Sequence, residues 1–140
     1  ATTILSAAGE IAGAWQIYAL DRGGDSTITA GSNLNTSFVP QYLAQEIQLP
    51  GIATGNSGYP QPVYIGSDGS TSSNAATSNT IQFSTLSREV CEQINLILRG
   101  ATTVDTGPTG LQQYSRAEGQ GYCYLAGSSG PYTFKRRVFP

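Results

Sequence analysis

The stretch that decides the fold is Ser87-Arg88-Glu89-Val90-Cys91-Glu92-Gln93-Ile94-Asn95-Leu96-Ile97-Leu98-Arg99-Gly100. Ser87 is placed to cap a helix, because its hydroxyl can accept from a free backbone N–H of the first turn. Glu89 follows in that turn, where a carboxylate complements the helix dipole. Leu86, Val90, Ile94, Ile97 and Leu98 fall on one face at helical spacing, and Gly100 supplies the stop. Cys91 lies one position beyond Val90, at the border of that buried face.

The partner of Cys91 is sought among strands. Tyr122-Cys123-Tyr124-Leu125 and Tyr132-Thr133-Phe134 read as two strands around the turn signal Ser128-Ser129-Gly130-Pro131, and Arg137-Val138-Phe139 extends the second. Two cysteines in a Ser/Thr/Gly-rich chain read as a disulfide, Cys91 to Cys123. The other reading is two separate buried thiols. A bridge would close a loop of 33 residues, counted from 91 to 123 inclusive. Loop-closure entropy then gives about 3.7 kcal/mol of stabilisation as an upper figure. It would staple a helix to an antiparallel sheet.

Upstream, Ile4, Ala8, Ile11, Trp15 and Tyr18 line one face of a helix, with Leu5, Ala12 and Ala19 beside it and Gly23-Gly24 as its stop. Core packing is the expected role of Trp15. The pattern is already running at Ile4, like the second half of a longer helix. Residues 25–37 are polar and loop-like. A short helix is expected from Pro40, with Ser37 as its cap, Tyr42, Leu43 and Ile47 facing the core, and Leu49-Pro50-Gly51 as its end. Residues 51–62 are loop, Val63-Tyr64-Ile65 is a short strand, and Ser67-Asp68-Gly69 is a turn. Ser70 to Asn79 is low in complexity. Thr80-Ile81-Gln82-Phe83 alternates like a strand, and residues 106–110 are loop.

With 140 residues the chain suits one domain. Charged residues make up 11%, with seven Lys or Arg, nine Asp or Glu and a net charge of −2. A surface kept wet by hydroxyl and amide groups is common in secreted proteins. Phosphate neutralisers cluster only at Lys135-Arg136-Arg137, expected on a solvated edge strand, so no specific nucleic-acid binding is read. The sequence holds no stretch of about 18 apolar residues, so no transmembrane helix is read in it.

There is no histidine. Ser-His-Asp and Cys-His catalysis are thereby excluded, as are His-containing zinc sites. Lys135 is the only lysine. Glu89 and Glu92 suit a helix N-terminus better than a hydrolytic pair. Asp21 and Asp25, near Arg22, are helix-end charges, and Asp68 belongs to its turn. No calcium loop is found. The reading is no enzyme, no metal and no cofactor. Tyr122, Tyr124 and Tyr132 form either an exposed aromatic strip or a sheet face packed on a helix. Asn35-Thr36-Ser37 fits a glycosylation sequon.

Taken together, these pieces resemble a type IV pilin. A long N-terminal helix, a Ser/Thr/Gly-rich middle, an antiparallel sheet and a C-terminal disulfide share that layout. The details look most like the type IVb subgroup, in particular the PilS-like pilins of thin conjugative pili. There the helix 87–95 would open the disulfide-bounded region, 91–123, and Tyr122-Cys123-Tyr124 would close it from a sheet strand. The resemblance implies an α+β domain over 1–140, with a spine helix (1–22) packed on an antiparallel sheet and a second helix tied to the sheet. It implies a subunit, more in the style of a major than a minor pilin or secretion pseudopilin. Such a subunit polymerises through its N-terminal helix into an extracellular bacterial pilus for conjugative DNA transfer, adhesion or aggregation. Minor pilins and a cell-surface receptor are the implied partners. The family's apolar helical half, with a Glu near the processed terminus, is lacking here, and Glu10 is not that residue. The abrupt start at Ala1 is what removal of that half would leave, and with it the membrane anchor and filament core. Subunit contacts are expected from acidic Asp21, Asp25 and Glu118 against Arg22, Arg116, Lys135, Arg136 and Arg137. The rival of another class is a secreted adhesin or carbohydrate-binding module.

Overall fold

Alanines at 7, 8, 12, 14 and 19 and the lack of proline let the first segment coil without interruption and approach a sheet closely. In the computed structural model it forms α1, Thr2–Asp21, with Ile4, Ala8, Ile11 and Trp15 buried on the expected face and Tyr18 partly so. The helix ends where Gly23 and Gly24 take left-handed φ of 70° and 94°, and the Gly24 N–H donates to the Ala19 carbonyl at 2.8 Å. Described are residues 2–29, 32–45, 47, 59–65, 71–72, 78–106, 121–125 and 132–139.

A short helix α2, Leu34–Ser37, follows, and it corrects the expectation of a helix starting at Pro40. Asn33, not Ser37, is the cap: its Oδ1 accepts from the Asn35 N–H at 3.0 Å, which starts the helix six residues earlier. Ser37 is its last residue, the Val39-Pro40 bond is cis, and residues 38–42 form turns. Leu34 and Phe38 are buried from this segment, and Phe38 packs on Trp15 and Tyr18. The sequon is corrected as well. Asn35 is only 3% exposed, and its amide donates to the Ile47 carbonyl and accepts from the Ile47 N–H. In the folded chain that nitrogen is unavailable for glycosylation.

The remaining elements are β1 (Gln61–Ile65), β2 (Thr71–Ser72), β3 (Thr80–Leu86), α3 (Arg88–Arg99), β4 (Gly121–Leu125) and β5 (Tyr132–Arg137). The strands form one antiparallel sheet in the order β2-β1-β3-β5-β4, in which β2 is a two-residue pairing with the end of β1. The two chain-final strands pair as expected, Cys123 opposite Phe134 and Tyr122 opposite Lys135. Their connecting residues, the turn at 67–69, most of the 70–79 stretch, the helix end at 49–51, residues 107–110 and the segment with Arg116 and Glu118 lie outside the described residues.

Period-two alternation sorts the strands into two faces. Ile81, Phe83, Cys123, Phe134 and Val138 join Ile4, Ile11, Trp15 and Ile94 in the core, so both long helices cover this face. Thr80, Tyr122, Tyr124, Thr133, Lys135 and Arg137 point to the other face, and all are buried. The expectation of a solvated basic edge strand is therefore overturned. The strand β5 lies inside the sheet between β3 and β4, with Lys135 4% and Arg137 5% exposed. Three successive basic residues suggested a charged edge, but the apolar partners Phe134 and Val138 around them tie the strand to the core.

Candidate assembly surface

A covalent bridge and an asparagine join α3 to the β4 edge. Cys91 and Cys123 form the expected disulfide, with Cα atoms 5.4 Å apart. The helix carrying Cys91 is bounded as read: the Ser87 hydroxyl accepts from the Val90 N–H at 3.2 Å, and Gly100 closes the helix at φ 78°. Its buried face is turned from the expected one. Cys91, Ile94 and Asn95 point inward, whereas Ile97 is 53% exposed and Leu98 is exposed too. A helix held by Cys91 must also present the residue one turn on, and that residue is polar.

Asn95 was not singled out by sequence reasoning. Its Nδ2 donates to the Cys123 carbonyl at 2.8 Å and to the Thr103 carbonyl at 2.9 Å, while its Oδ1 accepts from the Cys123 N–H at 3.1 Å. This side chain thus takes the place of a further strand along the β4 edge, satisfying groups that would otherwise be buried unpaired. The available signal was its spacing, four residues after a bridged cysteine on the same helix. The edge continues at Leu125, whose N–H donates to the Asp105 carbonyl at 2.9 Å.

On the opposite sheet face the tyrosines resolve into packed groups, not an exposed strip. Tyr122 and Tyr124 stack with planes 4° apart, Arg99 lies 4.6 Å over Tyr122, and Lys135 lies 5.6 Å over Tyr124. The Tyr122 hydroxyl donates to the Asp105 carboxylate. Burial, then this hydrogen bond, pushes the Tyr122 phenol up to about 12. Burial also draws the Lys135 ammonium down to about 8. Tyr132 faces the other way, into a cleft of about 350 Å³ that Arg88, Glu92, Thr102, Thr103, Val104 and Leu125 also line.

Of the charges expected at subunit contacts, the α1-end group is engaged within the chain. Arg22 lies 3.9 Å from Asp25 and 5.0 Å over the Tyr18 ring. Hydrogen bonds from Thr27 hold the Asp25 carboxyl below its ordinary range. The neighbouring Asp21 raises the Tyr42 phenol through a hydrogen bond. Lys135 and Arg137 face away from α1. Arg136 is on the core side, and a Cβ added at Gly9 would lie 3.3 Å from its Nη1, so its guanidinium packs along the α1 backbone. Arg116 and Glu118 are outside the described residues.

The face of α1 turned from the sheet carries Thr3, Ser6, Glu10, Gly13, Ile17 and Leu20, at alternating steps of three and four residues. That period of 3.5 is the spacing of a helix–helix seam. Ile17 is 52% and Leu20 75% exposed. Gly13 costs mid-helix stability relative to Ala, and an added Cβ there would meet nothing within 4 Å. Sequence reading did not single out this face, because the buried face carries the stronger apolar signal. Among the described residues no helix is long and apolar enough to cross a membrane. The chain matches no protein-family model, no curated protein and no solved structure.

Proposed function

We propose that the chain is the globular head of a type IVb pilin, a structural subunit that polymerises through α1 into an extracellular filament serving conjugation, adhesion or aggregation. The observation that carries this reading is the outward seam of α1. Apolar Ile17 and Leu20 stand in solvent at the repeat of a helix–helix contact, and Gly13 keeps a close approach open where the chain itself makes none. Behind the seam, the same helix is fixed to a sheet whose edge is held by a disulfide and Asn95, a head suited to shear and proteases. A major subunit is favoured over a minor pilin or secretion pseudopilin, and a receptor would meet the head, not α1.

The encoded precursor tests the reading. A pilin gene specifies an apolar helical run of about 20 residues leading into α1; a conventional cleavable signal peptide joined directly to Ala1 would sink it. On the protein, Ile17→Lys with Leu20→Lys should abolish filaments and leave the thermal midpoint of the isolated head unchanged.

A second reading, a saccharide-binding module, is favoured by the cleft at Tyr132. An aromatic ring beside the Glu92 carboxylate and the Thr102 and Thr103 hydroxyls suits a sugar ring. Tyr132→Ala would then abolish glycan binding and leave assembly intact.

A further inference from the structure

We infer that the cleft at Tyr132 selects an acidic sugar, with the sugar carboxylate held by Arg88 and the sugar ring lying on Tyr132. The inference deepens the saccharide reading above and rests on it. The cleft is already built in the free chain. Tyr132 and Leu125 stand opposite each other in the β4–β5 pairing, so both side chains emerge on one face of the sheet. The strap over 102–104 is fixed from two sides. The Thr103 carbonyl accepts from Asn95 at 2.9 Å, and the Asp105 carbonyl accepts from the Leu125 N–H at 2.9 Å. A ligand therefore meets walls that need no further ordering.

The polar groups of the cleft are uncommitted. Among the described residues the hydroxyls of Thr102, Thr103 and Tyr132 make no hydrogen bond. The one ion pair of Arg88 among them is with Glu92, at 3.9 Å, which is longer than a hydrogen bond. The Arg88 side chain is 68% exposed and that of Glu92 32%, so the guanidinium stands at the mouth and the carboxylate lies deeper. An exposed pair at that distance contributes little, and a ligand carboxylate can take its place on the guanidinium fork. Glu92 then accepts from sugar hydroxyls, while Thr102 and Thr103 can donate or accept. Val104, Leu125 and the Tyr132 ring form the apolar bed for the C–H face of a pyranose. A neutral sugar would leave Arg88 unused, whereas an acidic one engages every group.

Matched sugars that differ only in charge test this on the 140-residue chain. The probes are methyl glucuronoside and the methyl glycoside of N-acetylneuraminic acid, each beside its own carboxyl methyl ester. Titrations followed by the amide NMR shifts of Thr103 and Tyr132 should show one acid binding about tenfold tighter than its ester, through a charge-assisted bidentate contact. The pair that responds tells a uronic from a sialic acid. R88Q changes an exposed side chain and should bring the acid down to its ester, a loss of about tenfold. Y132L keeps apolar bulk without the ring and should weaken both members of the pair by about tenfold or more. Equal binding of acid and ester, or a preference that survives R88Q, overturns the role of Arg88 and leaves the saccharide reading standing. Full binding by folded Y132L, or no binding by any of the probes, defeats that reading and this inference together.

Discussion

At the residue scale, Asn95 and Lys135 hold opposite positions in the energetics of the fold. Asn95 satisfies the Cys123 N–H and the Cys123 and Thr103 carbonyls inside the protein. Asn95→Leu should therefore cost about 3 kcal/mol, because each buried polar group left unpaired costs roughly 1–3 kcal/mol; a urea midpoint equal to wild type would contradict the role. Lys135 works against folding at neutral pH. Its ammonium is buried and titrates near 8 in the folded chain, against an ordinary 10.5. Below 8 both states carry the proton, and the folded state bears the full cost of the buried charge. Between 8 and 10.5 the unfolded chain binds more protons, so stability rises with pH, by at most about 3 kcal/mol. Above 10 the unfolded chain ionises its tyrosine equivalent to Tyr122 while the folded one holds it neutral to about 12, and stability falls again. Denaturation series from pH 7 to 11 should show a maximum near pH 10. Lys135→Met should remove the rising limb.

At the element scale, the bulge of β3 and the seam of α1 give separate tests. The pairing of β3 with β5 shifts register between Phe83 and Leu86, and Thr85 there takes a φ of 62°. A β-branched residue in the left-handed region is strained by about 1–2 kcal/mol. Thr85→Gly should release more than the added chain entropy costs and raise stability by about 0.5–1 kcal/mol in thermal unfolding. Gly13→Ala separates the isolated head from the assembly. Its Cβ meets nothing, so the head should gain about 0.8 kcal/mol from helix propensity alone. Assembly should weaken, since the added methyl intrudes on the close approach of a neighbouring helix. Equal gains in both measurements would argue against packing at that point.

At the scale of the whole molecule, one bridge and one asparagine fix α3 to the sheet edge, and α1 covers the same face. Reduction of Cys91–Cys123 should lower stability by about 3–4 kcal/mol through the entropy returned to the unfolded chain. Urea titrations with and without reductant measure it. An unchanged midpoint would mean that the edge is held by Asn95 and packing alone.

Local patterns were enough to determine the helices 2–21 and 88–99, the caps of the second at Ser87 and Gly100, the burial of Trp15, the pairing of the last two strands and the bridge between Cys91 and Cys123. Each follows from residues within a few positions of one another, or from there being two cysteines to pair. Tertiary structure decided what depends on neighbours distant in sequence. It moved the short helix to Leu34–Ser37, closed Asn35 against Ile47, turned Ile97 outward and enclosed Lys135 and Arg137 in an interior strand. A run such as Lys135-Arg136-Arg137 carries no mark of its strand's place in the sheet. That place is set by hydrogen bonds to β3 and β4, whose residues lie elsewhere in the chain.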